Sequence, residues 1–284
     1  MVGLENGTQI SWWQWPTVLS LDAPIVVIAW QILLASVADV RLGWPHVFVL
    51  ATSIWLSYSA DRWIEGWRLA PGAIRTARHA FYQRRRWLLF PMWIAALAAD
   101  LGVALTRLSR QELMSGWLVV PPVLAYLLSH QLIHRHHPLR VPKEVCVALL
   151  LGAGAAVFPI ARAGIGHQDL WLALALFVAL AFANCALISV WEAEVDRSHG
   201  QTSLALQFGG HGWIHRVPWL LAGLAAFLGV LGGENLRITA VCAVGSAILL
   251  GFVDVLHVRL GWRVSRVLAD AALLTPLLAM VFGL

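Results

Sequence analysis

Asp61 and Glu65 stand four residues apart, and so do Glu192 and Asp196. On a helix, residues i and i+4 share one face, so each pair presents its carboxylates together. Hard oxygen ligands of this kind suit magnesium, which keeps several waters and shares the phosphate oxygens of a substrate. Spacing alone carries little weight, because fifteen acids in 284 residues give about one such pair by chance. Position carries more, since each pair closes a long apolar segment. Ser57 continues the first line one turn back, and Asn184 lies two turns before Glu192. Arg62 and Arg197 directly follow an acid of each pair, and Arg75, Arg78, Arg135 and Lys143 lie on adjoining loops. The planar guanidinium fork donates two parallel hydrogen bonds to phosphate oxygens. The constellation therefore has the parts to hold magnesium against a pyrophosphate. The competing reading is a pair of solvated helix ends whose Asp-Arg and Glu-Arg neighbours only balance charge.

The elements that must position these groups are membrane helices. The chain is 60% hydrophobic and 12% charged, with a mean hydropathy of +0.73, whereas soluble domains carry about a quarter charged residues. A span needs about 20 apolar residues, and in lipid every backbone group must bond within its own segment, so such runs are helices. Nine are expected, at about 23–40, 45–64, 87–106, 114–133, 143–162, 170–192, 217–232, 238–257 and 265–283. No polar linker interrupts them, so the sequence predicts a single all-α integral membrane domain over residues 1–284. The interval from Asp61 to Glu192 spans four segments, which suggests two pseudo-repeated four-helix halves plus a ninth helix. Residues 1–22, with Trp12, Trp13 and Trp15 and no positive leader, read as an interfacial N-terminal segment.

Fifteen Lys and Arg follow the even-numbered helices and five lie on the opposite side. By the positive-inside rule the N-terminus and both acidic clusters face the cytoplasm and the C-terminus lies outside, as in a bacterial inner membrane protein. The same excess accounts for the net charge of +5 without nucleic acid. Cys146, Cys185 and Cys242 fall inside apolar segments and read as small buried hydrophobes.

The acidic runs resemble a known family. Ser57-Tyr58-Ser59-Ala60-Asp61-Arg62-Trp63-Ile64-Glu65 is similar to the first signature of the UbiA superfamily of intramembrane prenyltransferases, N-D-x-x-D-x-x-x-D. The run from Glu192 through Asp196, Arg197 and Gly200 to Thr202 is similar to the second, D-x-x-x-D followed by Arg, Gly and often Thr. His130 to Arg135 falls where that family has a Tyr and a Lys-Arg pair, and the helix count agrees. The resemblance implies magnesium-dependent transfer of a prenyl group from an isoprenoid diphosphate to a lipophilic acceptor. It implies Asp61, Glu65, Glu192 and Asp196 as metal ligands, Asp61 and Asp196 foremost. Arg62, Arg75, Arg78, His134, Arg135, Lys143, Asn184 and Arg197 would meet the substrates. The pattern also departs from the family: Ser57 and Tyr58 stand where the first motif has Asn-Asp, Glu replaces Asp at 65 and 192, Ser189 stands where many members have an acid, and His134 replaces the usual Lys.

A second chemistry competes. His130, His134, His136 and His137 crowd one loop and His199, His211 and His215 another, each with a His-x-x-x-His spacing found in metal sites, including those of membrane di-iron lipid oxidases. A third possibility is a membrane scaffold or lipid-binding protein that keeps the fold without catalysis. Three acids lie within apolar stretches, where an unpaired charge is costly. Asp254 has His257 and Arg259 nearby, and Asp270 follows Arg266 by one turn. Asp100 has no neighbour on its own segment and must face the interior. Trp63, Trp67, Trp87 and Trp191 read as interfacial belt residues.

Overall fold

The computed structural model of the chain describes residues 10–68, 76–129, 141–199, 202–208 and 211–281, and of 65–68, 211 and 235 the backbone only. The described residues form helices α1 (Trp15–Val18), α2 (Asp22–Val37), α3 (Trp44–Arg68), α4 (Ala77–Arg84), α5 (Arg86–Arg107), α6 (Arg110–Leu128) and α7 (Lys143–Ala163). These are followed by α8 (Gln168–Trp191), α9 (Ala193–Ser198), α10 (Leu204–Gln207), α11 (Val217–Leu231), α12 (Glu234–Leu260), α13 (Trp262–Ala272) and α14 (Thr275–Val281).

Local chemistry explains the boundaries. Ser109 caps α6 in a capping box with Glu112, accepting from the Glu112 N–H at 3.3 Å while the Glu112 carboxylate accepts from the Ser109 N–H at 2.8 Å. Pro218 opens α11 in its first turn, where no helical N–H is lost. Helices α7 and α12 end at Gly164 and Gly261, whose φ values of 81° and 79° lie in the region that glycine tolerates.

Among the described residues the first eight expected segments each fall on one helix, and the ninth is divided between α13 and α14; their apolarity distinguishes them further. Among the described residues six helices are long and apolar enough to cross a membrane, or eight if each of two bent pairs is one span. The bent pairs are the N-terminal segment Trp12–Val18 with α2, at 73°, and α13 with α14, at 44°. Helix α3 is 25 residues long, yet Ser53, Ser57, Ser59, Asp61 and Arg62 dilute its hydropathy, so nine spans do not follow from apolarity alone. The site helix is less apolar because it carries the site.

The core gathers around α2, α7, α8 and α12. Trp30 of α2 is fully buried, stacks on Phe177 of α8 at 4.9 Å between ring centroids, and donates its indole N–H to the Leu273 carbonyl at 2.8 Å. That carbonyl lies at the break between α13 and α14, where the α-helical ladder is interrupted and a carbonyl needs another donor. Gly152 lets α7 close on α8, since a Cβ there would meet Val178 at 2.3 Å. In contrast, α5 and α6 present Trp87, Leu88, Leu105, Trp117 and Leu118 outward, as expected of lipid-facing surface.

Three intramembrane acids find partners across helices. Asp100 faces inward, accepting from Ser53 Oγ of α3 at 2.9 Å. Asp254 pairs with His215 Nδ1 at 2.7 Å and accepts from Trp191 Nε1 at 3.1 Å. His257, expected as its side-chain partner, instead packs against Trp191 and meets the Asp254 carbonyl. Asp270 accepts from Asn184 Nδ2 at 2.9 Å, while Arg266, its expected partner, turns to Glu192. On the far end of the molecule Glu112 joins His46 Nε2 at 2.8 Å and Arg162 Nε at 2.7 Å, tying α3, α6 and α7 together.

Candidate active site

Helix α3 delivers Tyr58, Asp61 and Arg62, and the end of α8 with α9 delivers Asn184, Cys185, Ser189, Glu192 and Asp196, into one cavity of about 180 Å³. Helix α4 adds Arg78, the start of α7 adds Lys143 and Glu144, α2 adds Asp22, and α13 adds Arg266 and Asp270. The i, i+4 spacing that aligns Glu192 with Asp196 survives a helix junction: Glu192 caps α8 and begins α9, and the Asp196 N–H still bonds the Glu192 carbonyl at 2.8 Å.

Within the cavity the charges are already organised. Glu192, 3% exposed, receives Arg266 Nη1 at 2.8 Å on Oε2 and the Arg78 guanidinium at 3.0 and 3.4 Å on its two oxygens. Burial alone would raise this carboxyl, and Arg266 and Arg78 override that, holding it well below the usual carboxylate range. Asp196 lies 3.6 Å from Lys143 Nζ. Arg62, in the cavity wall, reaches toward the N-terminal segment, donating to the Thr17 carbonyl and, at 2.9 Å, to Ser20 Oγ, with Asp22 at 3.7 Å.

The residues expected at the site thus divide by position. Asp61, Arg62, Arg78, Lys143, Asn184, Glu192 and Asp196 line the one cavity, whereas Arg197 is exposed beside it and does not line it. Arg75, His134, Arg135 and the side chain of Glu65 lie outside the described residues. Among the described residues no three His, Cys, Asp or Glu approach closely enough to hold an ion by themselves. His199 packs edge-on to His79, His215 pairs with Asp254, and His130, His134, His136, His137 and the side chain of His211 lie outside the described residues.

Sequence reasoning missed Asp22, Glu144, Arg266 and Asp270 as site residues. Asp22 and Glu144 stand at helix N-termini, where acids are common for capping reasons. Arg266 and Asp270 looked like one helical-turn pair. A weak signal existed in the cost of an intramembrane carboxylate, which favours an interior face.

A second cavity of about 150 Å³ adjoins the first, between α3, α6 and α7. Tyr58, Asp61, Tyr126, Val147 and Leu151 line both. Beyond them the walls are mostly apolar, with Leu50, Ile54, Val119, Val123, Leu127 and Leu150. A charged cavity therefore borders an apolar chamber, with Asp61 in the lining of both.

The chain is similar in fold to the apo structure of a UbiA homolog from Aeropyrum pernix K1, at 19% identity and a TM-score of 0.56 over 93% of this chain and 98% of that one. It is also similar to a UbiA homolog from Archaeoglobus fulgidus bound to DMAPP and Mg2+, at 11% identity and a TM-score of 0.56 over 94% and 99% of the two chains. No protein-family model matches the chain, and no curated protein does. The likeness extends over nearly the whole of each structure, so the fold is that of the UbiA homologues.

Proposed function

We propose that this chain, an integral membrane protein with the UbiA fold, transfers a prenyl group from an isoprenoid diphosphate to a lipophilic acceptor in a magnesium-dependent reaction. The observation that carries the proposal is the junction at Asp61, where a cavity lined by Asp61, Glu192, Asp196, Arg78, Lys143 and Arg266 meets an apolar chamber. The similar fold of a UbiA homolog bound to DMAPP and Mg2+ supports it.

The donor set fits magnesium held partly by the protein. Asp61 on α3 and Asp196 on α9 both line the cavity with oxygen ligands, and magnesium is commonly bound by one or two carboxylates plus substrate phosphates. Glu65, on the same helix as Asp61, is assigned with them on its spacing alone. Glu192 has another part: its two guanidinium partners hold it as an orienting anion between Arg78 and Arg266. A diphosphate entering the cavity meets those same two arginines and Lys143, which line it. Arg135 and Arg75 are assigned to the same anion from their loops, and His134 with them, whereas exposed Arg197 acts as an outer electrostatic guide. Arg62 maintains the wall through its bonds to the N-terminal segment.

Magnesium held by these residues would supply neutralisation of the charge that builds on the departing diphosphate. The protein's own cations do the same from fixed positions, which requires no reorganisation as the C–O bond breaks. Tyr58 and Tyr126 stand at the mouth of the apolar chamber, where their ring faces border the allylic carbon that becomes cationic. The chamber keeps water from that carbon until the acceptor attacks. On the excess of basic residues beside the acidic clusters we assign this cavity to the cytoplasmic side, with the N-terminus cytoplasmic and the C-terminus outside, as in a bacterial inner membrane protein.

The test is magnesium-dependent release of pyrophosphate from dimethylallyl, geranyl and farnesyl diphosphate by the purified protein in lipid nanodiscs. Release is expected, and Asp61→Ala and Asp196→Ala are each expected to reduce it at least ~100-fold, a typical effect of removing one electrostatic contact to a transition state. Release unaffected by either change, or none at all from the wild type, overturns the reading.

A further inference from the structure

Part of the cavity lining comes from α13 and the middle of α8, and it holds a carboxylate that the proposed ionisation leaves unused. Asp270 lines the cavity, accepts one hydrogen bond, from Asn184 Nδ2 at 2.9 Å, and has no ion-pair partner in contact among the described residues. Its neighbours are committed elsewhere. Arg266, one turn earlier, is bound to Glu192, and Arg62 is bound to Thr17, Ser20 and Asp22.

Asn184 supplies the second observation. Its side chain is 6% exposed, and donation from Nδ2 to Asp270 fixes the amide so that Oδ1 is left buried without a hydrogen-bond partner. A buried acceptor in that condition costs about 1–3 kcal/mol unless something donates to it. Asn184 Oδ1 and the Asp270 carboxylate therefore form two adjoining acceptors on one cavity wall. They call for a ligand that brings a donor, which a diphosphate oxygen does not. A hydroxyl on a second molecule supplies such a donor, its one proton shared between the two neighbouring acceptors.

We propose that Asp270, oriented by Asn184, is a catalytic residue that binds the hydroxyl of the acceptor and takes up its proton during prenyl transfer; this rests on the transferase reading above. In the step, the bond from the prenyl C1 to the diphosphate oxygen breaks and its electron pair leaves with the diphosphate. The acceptor oxygen forms the new bond to C1, and the proton on that oxygen passes to the Asp270 carboxylate. The separation of roles follows from the charges. Carboxylates that serve magnesium must stay anionic, so the proton requires a carboxylate without a cation against it, and Asp270 meets that description.

Two readouts test this with 4-octylphenol and its methyl ether, 4-octylanisole, which differ by one donor. The first is equilibrium binding to the wild type in nanodiscs, which needs no turnover and is read separately from pyrophosphate release. The phenol is expected to bind at least ~10-fold more tightly, the size of a hydrogen bond to a charged group, and Asp270→Asn and Asn184→Leu are expected to erase most of that preference. Equal binding of the two compounds to the wild type overturns the proposal. The second is formation of the prenyl ether of 4-octylphenol, expected from the wild type, reduced at least ~100-fold in Asp270→Asn and partly restored in Asp270→Glu. Ether formed equally by Asp270→Asn, or none formed by a wild type that releases pyrophosphate, also overturns it. Thermal unfolding of each variant separates a lost contact from a lost fold.

Discussion

Replacing Glu192 by Gln removes the buried anion between two half-buried arginines while keeping the side chain's shape. The magnitude follows from the geometry. Glu192 is 3% exposed and accepts three charge-assisted hydrogen bonds, at 2.8, 3.0 and 3.4 Å. Stranding one partner of a buried pair costs about 3–5 kcal/mol. Here Arg78 and Arg266 border the cavity and regain some hydration, which favours the lower end of that range. At about 2–4 °C per kcal/mol for chains of 150–250 residues, the melting temperature at pH 7 should fall by roughly 6–12 °C. The assay is thermal unfolding in detergent micelles followed with a thiol-reactive dye, since none of the thiols of Cys146, Cys185 and Cys242 is exposed in the folded chain.

The pH dependence is the sharper part of this prediction. The folded carboxyl of Glu192 is held below its unfolded value, so its stabilising contribution is complete above the unfolded pKa of about 4.3 and is lost as pH falls from there toward the folded value. Wild type and Glu192→Gln should therefore differ most above about pH 5 and converge in more acid solution. Inorganic pyrophosphate should raise the melting temperature of the variant more than that of the wild type, because it returns an anion to the two guanidinium groups. A loss under ~2 °C at pH 7, or a difference that stays constant down to pH 3.5, refutes the reasoning.

Gly152→Ala places a methyl 2.3 Å from Val178 Cγ2, so it should cost about 1–3 kcal/mol, and Val178→Ala should restore most of the loss in the double variant, read by the same melts. Arg62→Met removes the bonds to Thr17, Ser20 and Asp22 that hold the N-terminal segment; limited proteolysis should then cut within residues 10–21 at least ~10-fold faster, an opening free energy lower by about 1.4 kcal/mol. Val123→Trp fills the apolar chamber and should raise selectivity for dimethylallyl over farnesyl diphosphate at least ~10-fold, measured as the ratio of pyrophosphate release rates.

The chain's alphabet and periodicity made the membrane helices legible. Apolar runs of span length have one solution in lipid, so the segments could be placed within a few residues, and the i, i+4 acids could be assigned to helix faces. The break at Leu273 and the bend before Asp22 were not legible, because each depends on a donor or carbonyl from a distant helix, as when Trp30 meets the Leu273 carbonyl. The candidate site was legible where charge stands at a helix end. It was not where charge is embedded, as with Asp22, Arg266 and Asp270.

By itself the sequence determined that this is an all-helical membrane protein, and that its acids and bases gather at the ends of two particular helices. The physical reason is local: the hydrocarbon core imposes helix on any long apolar run, and spacing then decides which side chains share a face. Only the tertiary structure decided which charges neutralise one another. Glu192, one of four equivalent-looking acids in the sequence, is claimed by Arg78 and Arg266 from two other helices. Asp270, which looked like the partner of Arg266, is left facing the cavity beside Asn184. Pairing between helices is a three-dimensional competition among donors and acceptors, and its outcome is settled by which helix ends pack together.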